Sequence, residues 1–92
     1  MNFTLEDNDT PSVLVLSDDG ERIGSLDFHR RDDGLFVIEY IQVSPRRRGE
    51  GLARKLLDHF VEIVRHEKAT LVSRCGVAAA MLKGDPRYDD VR

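Results

Sequence analysis

With 92 residues and a net charge of −3, the chain has room for one domain, residues 1–92, with a modest core that removes about 60–65% of the unfolded surface from water. Hydrophobic residues make up 40% and charged residues 34%, an ordinary globular balance, and no apolar run approaches the roughly 20 residues of a membrane span. The single cysteine excludes an internal disulfide and a cysteine-based zinc cluster, and the three histidines form no close ligand pair, so no metal is expected. The opening MNFTLEDND has neither the basic nor the apolar region of a secretory signal. Together with the lone thiol, this points to the cytoplasm.

In chain order, NFTLED (2–7) and SVLVLS (12–17) read as short strands rich in β-formers, separated by the turn signal NDTP. SDDGE forms a hairpin turn, with Gly20 suited to positive φ, and leads into a third strand, RIGSLDFHRR (22–31). After a second turn at RDDGL, the fourth strand LFVIEYIQV (35–43) is nearly continuously apolar, the pattern of a central strand covered on both faces. Pro45 stops it. From Glu50 to His66, apolar residues at Leu52, Leu56, Leu57, Phe60, Ile63 and Val64 make a helical stripe. On the opposite face, His59 and His66 read as solvated, as does His29 on the third strand.

ATLVSRC (69–75) then reads as a fifth strand, parallel to the fourth because a helix connects them. VAAAMLK (77–83) is a short second helix closed by Gly84 and Pro86, and RYDDVR is left unassigned. The expected fold is α+β: a mixed, largely antiparallel sheet of about five strands, one long helix and a short C-terminal helix. So few helices leave one sheet face poorly covered, which calls for a partner subunit, such as a second copy, or a substrate groove.

Five basic residues and one glutamate lie between Arg46 and Lys55, a local charge of +4, so the rest of the chain carries −7. A nucleic-acid binder spreads basic charge over a face and is basic overall. Here the pI is about 5.5 and no aromatic residue accompanies the arginines. The pattern fits one small polyanion. A helix N-terminus offers unpaired amides and a partial positive charge. Gly49 and Gly51 let a ligand approach the backbone, and Arg46, Arg47 and Arg48 can supply charge-assisted contacts to phosphate. Neither a nucleotide P-loop nor a G-x-G-x-x-G fingerprint is present.

The segment VSPRRRGEGLARKLL resembles the acetyl-CoA-binding segment of the GNAT N-acetyltransferase superfamily. Its R/Q-x-x-G-x-G/A motif falls on Arg48, Gly49, Glu50, Gly51, Leu52 and Ala53. A register from Arg46 to Gly51 also fits the spacing, but the first sets Val43 and Pro45 where the family has them. RCGVAAAMLKGDPRYDDV (74–91) is similar to the C-terminal segment of very short GNAT members, with Cys75, Ala79, Ala80, Pro86 and Tyr88 at matching places. Those members often carry a His-Thr-Glu-like triplet where this chain has Tyr40, Ile41 and Gln42.

The resemblance implies a minimal GNAT-like fold, acetyl-CoA as cosubstrate and acetyl transfer to an unknown amine. The pyrophosphate would lie on residues 48–53, and backbone around Ile41, Gln42 and Val43 would polarise the thioester carbonyl. The catalytic candidates are Glu39, the only acid within the apolar run and a base if desolvated; Tyr40, near the expected acyl group; and Cys75, a nucleophile for a two-step route. A non-catalytic acyl-CoA-binding or regulatory module is the alternative.

Overall fold

The computed structural model describes residues 1–7 and 10–92. The described elements are β1 (Asn2–Glu6), β2 (Ser12–Asp18), β3 (Glu21–Arg30), β4 (Phe36–Val43), a 3-10 turn (Pro45–Arg47), α1 (Leu52–His66), β5 (Leu71–Ser73), α2 (Gly76–Lys83) and a 3-10 helix (Pro86–Val91). They form one sheet in the order β1-β2-β3-β4-β5. Its first four strands are antiparallel and β5 runs parallel to β4. The α+β architecture expected from the sequence is the one observed. The turn expected over NDTP includes residues 8 and 9, which lie outside the described residues.

The register assigns each side chain to a face. On one face, Leu14, Leu26, Phe28, Phe36, Ile38, Ile41 and Leu71 join Leu52, Leu56, Leu57, Phe60, Val61 and Val64 of α1 in a single cluster. Phe28, Phe36 and Phe60 are its aromatic centre, with centroids 4.8–5.9 Å apart in tilted and edge-on geometry. Gly24 permits α1 to pack this closely, since a Cβ there would lie 3.0 Å from Leu56 Cδ1 and 3.3 Å from the Gln42 carbonyl oxygen. Ala78 and Leu82 of α2, and Tyr88 and Val91 of the 3-10 helix, complete the same cluster. Val15 and Val37 are buried on the opposite face but lie outside it.

Three differences from the expected elements have local causes. The helix begins at Leu52 rather than Glu50 because Gly51 sits in the left-handed region at φ 73°. The fifth strand has three residues rather than seven: the Ser73 hydroxyl donates to the Cys75 carbonyl and accepts from the Cys75 amide (2.8 and 3.1 Å), turning the chain into α2. The C-terminal residues form a 3-10 helix started by Pro86, with the Asp85 carboxylate accepting from the Arg87 amide at 3.0 Å. Within α1, Val61 is buried and Ile63 only half-buried, which shifts the apolar stripe by part of a turn.

The fourth strand also departs from its reading. It is covered on both faces only along Phe36, Val37 and Ile38, while Tyr40 and Gln42 are exposed. A β-bulge causes the change: Phe28 pairs with Ile38 and Asp27 with Tyr40, leaving Glu39 as the extra residue. Ile38 and Ile41, three apart, can therefore both face the core, and Glu39 and Tyr40 come side by side on the other face.

Candidate functional site

The residues from Arg48 to Ala53 build the turn between β4 and α1. Gly49 and Gly51 have φ of 85° and 73°, values that L side chains adopt only under strain. A Cβ on either would meet nothing within 4 Å, so the space above both is open. Gly51 is the N-cap of α1; no side chain caps the helix and its first turn holds no acid. The Lys55 amide bonds the Gly51 carbonyl at 3.1 Å, so the amides before it in the first turn lie beyond the helical ladder. Helix N-termini normally recruit an acceptor side chain there. This one presents its amides to a pocket of about 240 Å³ whose lining includes Val43, Arg47, Arg48, Gly49, Gly51 and Leu52.

The three arginines divide by role. Arg47 donates to Glu50 from Nε (2.8 Å) and Nη2 (3.0 Å), and from Nη2 to Asp18 (3.1 Å). Its guanidinium therefore braces the turn against β2 and is not free for a ligand, contrary to the sequence reading. The same bonds hold the Glu50 carboxyl below its ordinary range, so Glu50 contributes backbone and bracing rather than a free side chain. Arg46 and Arg48 have no hydrogen-bond or ion-pair partner among the described residues and remain available for an anion.

Beside the turn the sheet divides. The Arg74 amide bonds the Ile38 carbonyl at 2.8 Å, the last rung between β5 and β4, and the chain then leaves for α2. The Ser44 amide donates to the Ile23 carbonyl at 2.8 Å. By strand alternation the Gln42 amide also turns toward β3, and those of Ile41 and Val43 turn toward the side β5 has vacated. The Ile41 side chain is buried, so its backbone is what it can offer a ligand. Gln42 instead donates its side-chain amide to the Ser25 hydroxyl at 3.2 Å.

The catalytic candidates lie in different surroundings. Glu39 is not the solitary acid that its apolar neighbours suggest: His29 Nδ1 lies 2.8 Å from one carboxylate oxygen and Arg74 Nε 3.6 Å from the other. His29, which the sequence left as a solvated residue, acquires this partner through the bulge. Tyr40 is 54% exposed on the open sheet face. Cys75 is buried at 7% exposure within the hydrophobic cluster and stands at the N-cap of α2, with Arg74, the residue before it, turned to Glu39. Tyr88 lies in the core, where Asp58 accepts from its hydroxyl and Arg54 Nη1 donates to it at 2.9 Å. Burial, and then the Asp58 bond, push its phenol above the ordinary value. His59 stacks on Phe3 with centroids 4.0 Å apart.

No group of side chains suited to a metal ion occurs among the described residues. A larger cleft of about 560 Å³ lies at the far end of β4, between the β3–β4 and α1–β5 connections. Both arginines lining it are already paired, Arg30 with Glu67 and Arg31 with Asp33, each at 3.0 Å.

The site thus joins a strand that splits from its neighbour to an uncapped, glycine-built helix start. Residues 13–91 match the model of the GCN5-related N-acetyl-transferase family. The chain belongs to that family. No curated protein matches the sequence. Among solved structures, the chain is similar to a GCN5-like protein from Staphylococcus aureus (TM-score 0.74, 22% identity, covering 96% of this chain and 85% of that one). It is also similar to a ribosomal-protein-alanine N-acetyltransferase from Brucella melitensis biovar Abortus 2308 (0.68, 19%, 84% and 64%). A third is the Escherichia coli ribosomal-protein-S18-alanine N-acetyltransferase (0.66, 22%, 78% and 49%). At these identities the likeness is one of fold. The chain spans less than two thirds of the length of the Brucella and E. coli enzymes.

Proposed function

We propose that this chain binds acetyl-CoA along the split between β4 and β5 and transfers the acetyl group to an amine. The observation that carries the reading is the uncapped N-terminus of α1 built on Gly49 and Gly51, with open space where their side chains would be. Amides of the first turn would hold the pyrophosphate, and Arg46 and Arg48 would add charge-assisted bonds. The rest of the cosubstrate would run along the vacated edge of β4, satisfying the backbone of Ile41 and Val43 as a strand would.

Acetyl transfer then needs a positioned thioester, a polarised carbonyl, a deprotonated amine and a departing thiolate. A backbone amide at the end of β4 supplies the polarisation without any particular side chain. Direct attack by the amine is the simpler route, since the surroundings of Cys75 are those of a packed apolar residue. Whole residues 1–92 act as a single acetyltransferase domain in this reading. A non-catalytic acyl-CoA-binding module is the second reading, favoured by the engagement of Glu39 with His29 and Arg74.

Thiol release from acetyl-CoA in the presence of a panel of primary amines tests the proposal. Release that depends on both components supports transfer. Saturable acetyl-CoA binding with no release for any amine favours the binding module, and absence of binding contradicts both.

A further inference from the structure

The sheet face opposite the helices holds a carboxylate with nothing to bind. Asp27 lies in the middle of β3, half-buried, with no hydrogen bond or ion pair among the described residues. Burial raises its carboxyl above the ordinary range, an effect only partly offset by Arg22. The neighbouring acid is differently placed, because Glu39 is already matched by His29 at 2.8 Å and Arg74 at 3.6 Å. An acid left without a partner in a partly desolvated position costs stability that a cation would recover.

Directly across the ladder from Asp27 is Tyr40. Paired residues of an antiparallel ladder lie about 5 Å apart at Cα and share a face. The tyrosine is 54% exposed and makes no aromatic contact among the described residues. A carboxylate beside an aromatic face is the combination that recognises an ammonium ion, one part through charge and the other through the ring quadrupole. Tyr40 is also two residues past Ile38, where β5 leaves β4, and one before Ile41, whose amide turns toward the vacated edge.

We infer that Asp27 and Tyr40 form the seat for the acceptor, and that the acceptor arrives as a protonated primary alkylamine over the open sheet face. The inference rests on the acetyl-CoA reading for its location and adds the residues and the charge of the second substrate. Asp27 here is a binding and specificity-determining residue. As for any amine nucleophile, loss of a proton precedes attack, and over the open face that proton passes to solvent water. The seat discriminates by charge, so neutral isosteres of the same length bind poorly.

The test uses n-butylammonium and neutral n-butanol as probes, titrated into the 92-residue protein with and without saturating CoA and followed by amide NMR shifts. The expected result is saturable shifts centred on Asp27 and Tyr40 for butylammonium and none for butanol. Affinity should fall at least about tenfold in Asp27→Asn, as for loss of a charged hydrogen-bond partner, and roughly two- to fivefold in Tyr40→Leu. Butylammonium shifts located elsewhere or unchanged in Asp27→Asn, or equal binding of butanol, would overturn the inference. CoA shifts at residues 48–53 report the cosubstrate site separately, so failure of the amine seat and failure of the acetyl-CoA reading are distinguishable.

Discussion

Gly51 combines three demands in one residue: a left-handed backbone, the start of α1 and an unobstructed approach to the first-turn amides. Gly51→Val should therefore strain the turn by about 1–2 kcal/mol and weaken acetyl-CoA binding by more than the fall in stability explains, with calorimetry and thermal melting as the two readouts. The arginines next to it offer a contrast. Arg48→Ala should cost about tenfold or more in acetyl-CoA affinity at unchanged melting temperature, since a free guanidinium donating to a phosphate is lost. Arg47→Ala should instead loosen the turn by releasing Glu50 and Asp18. Equal losses from both variants would contradict the division of roles. For Cys75→Ala the expectation is a melting temperature lower by a few degrees, consistent with its burial, and unchanged acetyl-CoA binding.

Among the elements, the C-terminal 3-10 helix shows how the chain closes its core with little secondary structure. Tyr88 fills a buried site and its hydroxyl joins Asp58 and Arg54 of α1, while Asp85 and Asp90 anchor the ends through Arg87 and Arg65 at 2.7 Å each. Arg87 side-chain and backbone bonds lower the Asp85 carboxyl from 3.8 to about 2, and Arg65 lowers Asp90. A carboxyl depressed in the folded state stabilises above its unfolded value and loses that contribution as pH falls through its folded value. The amides of residues 86–91 should thus lose order between about pH 4 and pH 2, before those of the central strands; simultaneous loss would contradict this. Replacing Tyr88 by Phe should cost about 1–3 kcal/mol, because Asp58 loses a donor.

The same element marks the limit of what the sequence discloses. Hydrophobic period identifies α1, and β-former content, turn signals and the continuous apolar run of β4 identify the four antiparallel strands, because all of these are local properties. RYDDVR has neither: Pro86 and the Asp85 cap start its 3-10 helix, and contacts with Asp58 and Arg65 on a distant helix hold it in place. The bulge at Glu39 is equally invisible, since it depends on how β3 and β4 align, and with it go the pairing of His29 and the isolation of Asp27. The glycine turn was legible in composition and spacing. The diversion of Arg47 to Asp18, 29 residues away, was not.

At the scale of the molecule, the helices and the C-terminal segment cover one face of the sheet and leave the other to polar and small apolar side chains. The first face makes the chain stable, and the early departure of β5 from β4 into α2 opens the split. The second face carries the unpaired acid and the exposed tyrosine. The acidic balance of the rest of the chain, −7 against +4 at the turn, sets opposite fields around the two expected substrates. Raising salt should weaken both the polyanionic cosubstrate and a cationic acceptor, as screening predicts. Membrane crossing has no counterpart in the helices, none of which is long and apolar enough among the described residues.

Titration with acetyl-CoA, followed residue by residue through amide shifts, tests the central claim most directly. Saturable shifts centred on Arg48 to Ala53, extending to Ile41 and Val43 on the vacated edge of β4, are the predicted result. No shift at millimolar acetyl-CoA, or shifts confined to the far end of the sheet, would contradict it.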